Sequence, residues 1–170
     1  MILNQFTHYQ EVILQQKIDF GEVFNQSFET AVLADTERFY ALFYEHFFSV
    51  SEDISKAFAN TDMPRQHEML HDSLINMISF SENKKASRYF QKMAITHGKM
   101  GVGVRIALFD VWLDCLLMTV KDLDQQYDDQ VDLAWRIVLA PGMVFMKSFG
   151  VDDSNNSAGK APDEEDSKTT

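Results

Sequence analysis

The sequence predicts an all-α domain, and three observations lead there. Only 7 Gly and 3 Pro occur among 170 residues, too few for the turns of a many-stranded sheet. Apolar residues recur at helical spacing through most of the chain. Residues suited to capping a helix N-terminus stand just ahead of several of those runs. The length fits one domain large enough to bury a proper core.

The elements can be justified in order. Residues 5–17 can form a short leading helix, followed after Gly21 by VFNQSFETAVL. Asp35 or Thr36 can cap the next helix, TERFYALFYEHFF, whose aromatic residues on nearly every side make it central. Ser51 can cap the short SEDISKAF. A further helix begins near Asp62 with Pro64 in its first turn, where the missing N–H is harmless. Its apolar stripe is Met63, Leu70, Leu74, Met77 and Ile78, and the next stripe is Tyr89, Phe90, Met93 and Ala94. After Gly101 and Gly103 a long helix turns Ile106, Phe109, Leu113, Leu116, Leu117 and Val120 inward. The last helix, VDLAWRIVLAPGMVFMKSF, contains Pro141 and Gly142, where a kink is expected. No internal repeat is visible.

Composition narrows the function classes. A formal net charge of −11, with 15 scattered basic residues, disfavours nucleic acid and anionic membrane surfaces, since both need clustered Lys and Arg. Residues 152–170 hold six acids and two bases and no large hydrophobe. That composition cannot offset the entropy of ordering, so 151–170 read as a disordered acidic tail. The single cysteine, Cys115, lies in an apolar run and reads as a buried, reduced thiol. The start, MILNQFTHYQ, lacks the basic opening and apolar core of a signal peptide, and no apolar run approaches the roughly 20 residues that span a bilayer. A cytoplasmic protein is expected, with an N-terminal extension over 1–19, a folded domain over 20–150 and the tail.

Two polar residues sit on apolar stripes. His97 continues the stripe of Tyr89, Phe90, Met93 and Ala94, so its imidazole projects from the core-facing side. It is either a core histidine with a satisfied hydrogen bond or a ligand for something bound. Gln66 stands one turn before Leu70 and shares its face, either at the stripe's margin or lining a cavity. No histidine cluster has spacing suited to zinc, and Ser, His and Asp are too scattered for a triad. The GVG at 101–103 opens a helix without a preceding strand and is weak evidence for a nucleotide site.

The succession FYALFYEHFF (39–48), AF (57–58), MPRQHEML (63–70), KMAITHGKM (92–100), FDVWLDCLLMTV (109–120) and AWRIVL (134–139) resembles a bacterial globin. It is most similar to single-domain globins and the haem domains of flavohaemoglobins, over roughly residues 20–150. The resemblance implies a three-over-three globin fold of seven or eight helices and a haem b cofactor. By the same resemblance His97 is the proximal iron ligand, Phe58 the phenylalanine packed on the porphyrin, Tyr44 the distal tyrosine, Gln66 the distal glutamine, and Leu70 the apolar residue one turn on. His67 and His71 lie beside the distal positions, either as exposed neighbours or as a sixth iron ligand. Shifting the helix by one residue would make His67 distal, but Leu70 would then turn outward. Taken from the residues alone, Tyr44 could equally be a buried aromatic bonded to a nearby carbonyl.

The implied chemistry follows. A neutral imidazole donates to haem iron while its other nitrogen needs an acceptor to fix its orientation. The O–H of Tyr44 and N–H of Gln66 would hold dioxygen, which takes on negative charge, more strongly than carbon monoxide. Flavohaemoglobins place a tyrosine and a glutamate behind the proximal histidine; here Phe109 and the neighbourhood of Gly150 occupy those positions, which implies a more ordinary histidine bonded to a backbone carbonyl. The implied function is reversible binding of dioxygen, nitric oxide and carbon monoxide, with nitric oxide detoxification through the oxygen adduct if an external reductase supplies electrons. The competing readings are a haem-based gas or redox sensor acting through a partner or a change of oligomer, and a globin-fold interaction module without haem.

Overall fold

A computed structural model describes residues 18–152. The leading helix expected over 5–17 and the acidic tail from 153 lie outside them. Seven α-helices occur among the described residues: α1 (Phe20–Phe28), α2 (Thr36–Val50), α3 (Glu52–Ala57), α4 (Met63–Asn83), α5 (Arg88–His97), α6 (Ile106–Leu123) and α7 (Asp129–Lys147). A five-residue π turn, Glu29–Leu33, extends α1.

Side-chain caps start most of these helices. Asp35 accepts from Arg38 N, Ser51 from Ile54 N and Asp62 from Arg65 N, as their positions in the sequence imply. Asp19, Ser87 and Asp128 do the same for α1, α5 and α7. Each satisfies an amide that would otherwise have no partner, an effect of about 1 kcal/mol.

The helices form two layers. In one, α7 packs against both α1 and α6; in the other, α4 packs against both α2 and α5. Across the layers, α2 lies on α6, and α7 lies on both α4 and α5. Phe39 and Phe43 from α2, Leu74 from α4, Phe90 from α5, Leu116 from α6 and Trp135 and Leu139 from α7 meet between them, fully buried. Trp135 fixes α1 on α7: its ring lies 4.7 Å from that of Phe24, and its Nε1–H donates to Ser27 Oγ at 3.0 Å.

At Pro141 and Gly142 the helix α7 continues without a break in its assignment. The glycine has a packing role. A Cβ there would stand 2.6 Å from Met77 Cγ and 3.2 Å from Met77 Cα, so α4 and α7 cross at a distance only glycine permits. Three stripes are narrower than the sequence implies. Tyr89 is 42% exposed, because α5 packs mainly on α4 and α7 and buries Phe90, Met93 and Ala94. Met63, Ile78, Ile106 and Leu113 are half-buried margins.

Past α7 the chain folds back on the start of α6. Val151 N–H donates to the Val104 carbonyl and Ile106 N–H to the Val151 carbonyl, each at 3.0 Å. Val151 thus pairs with the folded body, one residue beyond the boundary read from composition. Among the described residues no helix is long and apolar enough to cross a membrane.

Replacing Gly142 with Val forces the α4–α7 crossing apart. The expected loss is about 1–3 kcal/mol of unfolding free energy, read as a lower denaturation midpoint at unchanged slope. An unchanged midpoint would show that the crossing is not tight.

Candidate functional site

His97 is the last residue of α5, half-buried. Its Nδ1 lies 2.9 Å from the Met93 carbonyl. A carbonyl can only accept, so Nδ1 carries the proton and Nε2 keeps its lone pair. The turn after it is tightly built. A Cβ on Gly98 would lie 2.5 Å from the Phe149 carbonyl oxygen, and one on Gly101 would meet the Thr96 carbonyl oxygen at 2.0 Å. Gly103 takes a positive φ of 68°. These glycines let residues 98–103 wrap the end of α5 and press it onto the end of α7, where Lys99 N–H donates to the Phe149 carbonyl at 3.0 Å. The GVG segment is therefore turn geometry.

Phe109 and Gly150, the positions that depart from the flavohaemoglobin pattern, lie together: a Cβ on Gly150 would be 3.3 Å from Phe109 Cε2. The Met93 carbonyl is thus the acceptor His97 uses. Met93 also joins α5 to α4, since Ser73 Oγ–H donates to its sulfur at 3.1 Å.

The other group of residues lies between α2, α4 and the end of α3. Tyr44 is buried, with its ring 5.9 Å from Phe58 and 5.5 Å from Phe48. Its hydroxyl donates to the Gln66 carbonyl at 3.4 Å, a distance at which a hydrogen bond is weak and easily redirected. Burial pushes the phenol up to about 12, with hydrogen bonding to the Gln66 side chain partly offsetting the rise. Leu70 is buried, and Gln66 is half-buried. Leu70 faces the core one turn after Gln66, on the same side of α4. Tyr44, Phe58, Gln66 and Leu70 are thus brought to one region, while His97 stands on the neighbouring helix and among the described residues has no ring contact with them.

His67 and His71 are not exposed neighbours. The His67 ring lies nearly parallel to Tyr44, with centroids 5.5 Å apart and an interplanar angle of 13°. His71 Nδ1 lies 2.9 Å from the hydroxyl of Tyr40, a residue the sequence reading passed over. The available signal was spacing. Tyr40 and Tyr44 on α2, and His67 and His71 on α4, are both i, i+4 pairs that share a helix face.

Folding raises the Tyr44 phenol from 10.0 to about 12. The folded chain therefore keeps a proton that the unfolded chain releases above the ordinary tyrosine range. This contribution to stability is fully present below pH 10.0 and is lost as pH rises through about 12. Phenolate absorbance titration should show several late-titrating phenols, with Tyr40 and Tyr127 later than Tyr44, and Tyr44→Phe should reduce the late amplitude by one phenol; an identical curve in the variant would contradict the burial.

No protein-family profile and no curated protein matches the sequence. Among solved structures, a Pseudomonas aeruginosa protein described as structurally highly homologous to a human haemoglobin matches with a TM-score of 0.70. The two chains are 30% identical, over 78% of this chain and 100% of the other. Six of the helices make up the two layers of the three-over-three arrangement, with α3 as the short connector between α2 and α4. With this fold, and this identity across the whole of that relative, the chain belongs to the bacterial globin-like proteins.

Proposed function

We propose that this chain binds haem b with His97 Nε2 as the proximal ligand and holds dioxygen, nitric oxide or carbon monoxide reversibly on the opposite face. The observation that carries this reading is the 2.9 Å bond from His97 Nδ1–H to the Met93 carbonyl. It fixes the tautomer and the ring orientation that iron ligation needs. Among the described residues no three His, Cys, Asp or Glu side chains converge on one point, so a lone histidine is a metal ligand here only if a macrocycle fills the other positions. The relative described as homologous to a haemoglobin supports the same reading.

Haem supplies, when bound, an iron centre that takes a diatomic gas. The chain's own residues decide which gas stays. The Tyr44 hydroxyl can leave its long bond to the Gln66 carbonyl and donate into the pocket, and the Gln66 amide offers a second N–H. Phe58, Phe48 and Leu70 keep the site apolar, so a donor there acts in a low dielectric. A gas atom that carries negative charge gains most from such donors. His67, lying on Tyr44, limits how that ring can turn. Oxidation of nitric oxide to nitrate would consume one electron per turnover, delivered by an external reductase.

Two substitutions test the proposal. His97→Ala should abolish the five-coordinate ferrous haem spectrum after hemin addition, and an unaltered spectrum would end the proximal assignment. Losing a hydrogen bond to a charged group costs about 1.5–3 kcal/mol, so Tyr44→Phe should speed dioxygen dissociation by roughly 10- to 100-fold and carbon monoxide dissociation far less. Small, equal changes for both gases would remove Tyr44 from the distal role.

A further inference from the structure

Gas binding makes no use of Tyr40 or His71. Tyr40 is 2% exposed. Its hydroxyl lies 2.9 Å from His71 Nδ1, which accepts from it in the tautomer protonated at Nε2, and the two rings meet edge to face with centroids 5.8 Å apart. One turn along α2 stands Tyr44, at the pocket. The His67 ring lies flat on Tyr44 and has its centroid 6.4 Å from that of Tyr40. The two i, i+4 pairs thus form a ladder of aromatic rings, Tyr44–His67–Tyr40–His71, running from the pocket into the α2–α4 interface. Beside His71 in sequence is Asp72, whose charge reaches both Tyr40 and Tyr89. Tyr89 is 42% exposed on α5.

A buried phenol needs an acceptor, and a backbone carbonyl would serve. An imidazole adds a capacity that a carbonyl lacks: it is a base strong enough to take the proton. Burial, with Asp72 adding to it, pushes the Tyr40 phenol well above its ordinary value, so the group is neutral at any physiological pH. A neutral phenol gives up an electron readily only when its proton leaves in the same event, and the receiving nitrogen is already in place.

We propose that Tyr40 and His71 form a redox relay that carries oxidising equivalents out of the ligand pocket. This rests on the haem reading, because haem, when bound, would supply the oxidant: a hydroperoxide needs two electrons for each O–O bond cleaved, and the relay would deliver them one at a time, in two rounds. The Tyr40 O–H bond breaks and an N–H bond forms on His71 Nδ1. One electron passes through the His67 and Tyr44 rings to the oxidant, leaving a neutral tyrosyl radical beside an imidazolium. A one-electron reductant in solution restores the phenol as His71 returns the proton. The pocket is thereby cleared of an oxidant that would otherwise attack its own aromatic lining.

The test uses the full chain in two states. Without haem, photogenerated ruthenium(III) tris-bipyridine serves as the oxidant, and electron paramagnetic resonance reads the tyrosyl signal. With hemin loaded, hydrogen peroxide replaces it. The expected result is a tyrosyl signal in both states that Tyr40→Phe removes, with slower formation in deuterated solvent. His71→Gln keeps a hydrogen-bond acceptor but no base, so it should also lose the signal. A purely structural role for the pair would leave that variant unaffected. Circular dichroism establishes that both variants fold. A wild-type signal in Tyr40→Phe, or in His71→Gln, overturns the relay. A Tyr40 signal under ruthenium in a chain that takes up no haem sustains the pair as redox-active and removes its haem-derived oxidant. Haem uptake with gas binding but no Tyr40 signal in either state overturns the relay and keeps the haem reading.

Discussion

The crossing of α4 and α7 governs most of what lies around it. Gly142 lets the two helices approach until a β-carbon would overlap Met77. Since α7 also carries α1, α5 and α6, the position of α4 relative to α7 sets the spacing of both layers. α5 packs mainly on α4 and α7, so it takes its place largely from the two helices that this contact locks together. Its outer side stays free, and its inner side, Phe90, Met93 and Ala94, is anchored in the core.

Polar groups inside this fold are few and each has a partner. Trp135 reaches Ser27, Thr119 Oγ1 donates to the Cys115 carbonyl at 2.9 Å, and among the described residues no deeply buried side-chain polar atom lacks a hydrogen bond. The α2–α4 contact departs from that economy. It gathers two tyrosines and two histidines in one interface where aliphatic side chains would pack as well. Polar groups placed in a core at the expense of simple apolar packing are a common mark of chemistry.

The sequence discloses the helices well because their signals are local. Asp35, Ser51 and Asp62 lie where their caps form, and Leu70, Leu74 and Met77 are read correctly as inward from spacing alone. The bond of His97 to a backbone carbonyl is also foreseen, from the absence of a tyrosine and glutamate behind it. Tyr89 is misread because periodicity shows which side faces inward but not how wide a neighbour covers it. The Tyr40–His71 contact depends on the mutual rotation of two helices thirty-one residues apart in sequence, and no local pattern encodes that. The likeness of the two i, i+4 pairs becomes meaningful only once the helices are seen to face each other.

The return of the chain after α7 ties residues 149–151 to the turn that ends α5 and to the start of α6. Lys99 bonds to Phe149, and Val151 bonds to both Val104 and Ile106, so the exit of the chain is stitched to the turn that follows His97. Gly98 beneath Phe149 leaves no slack in that joint. A change at Phe149 or Val151 is therefore felt first at the turn behind His97, because the two stretches of backbone share their hydrogen bonds.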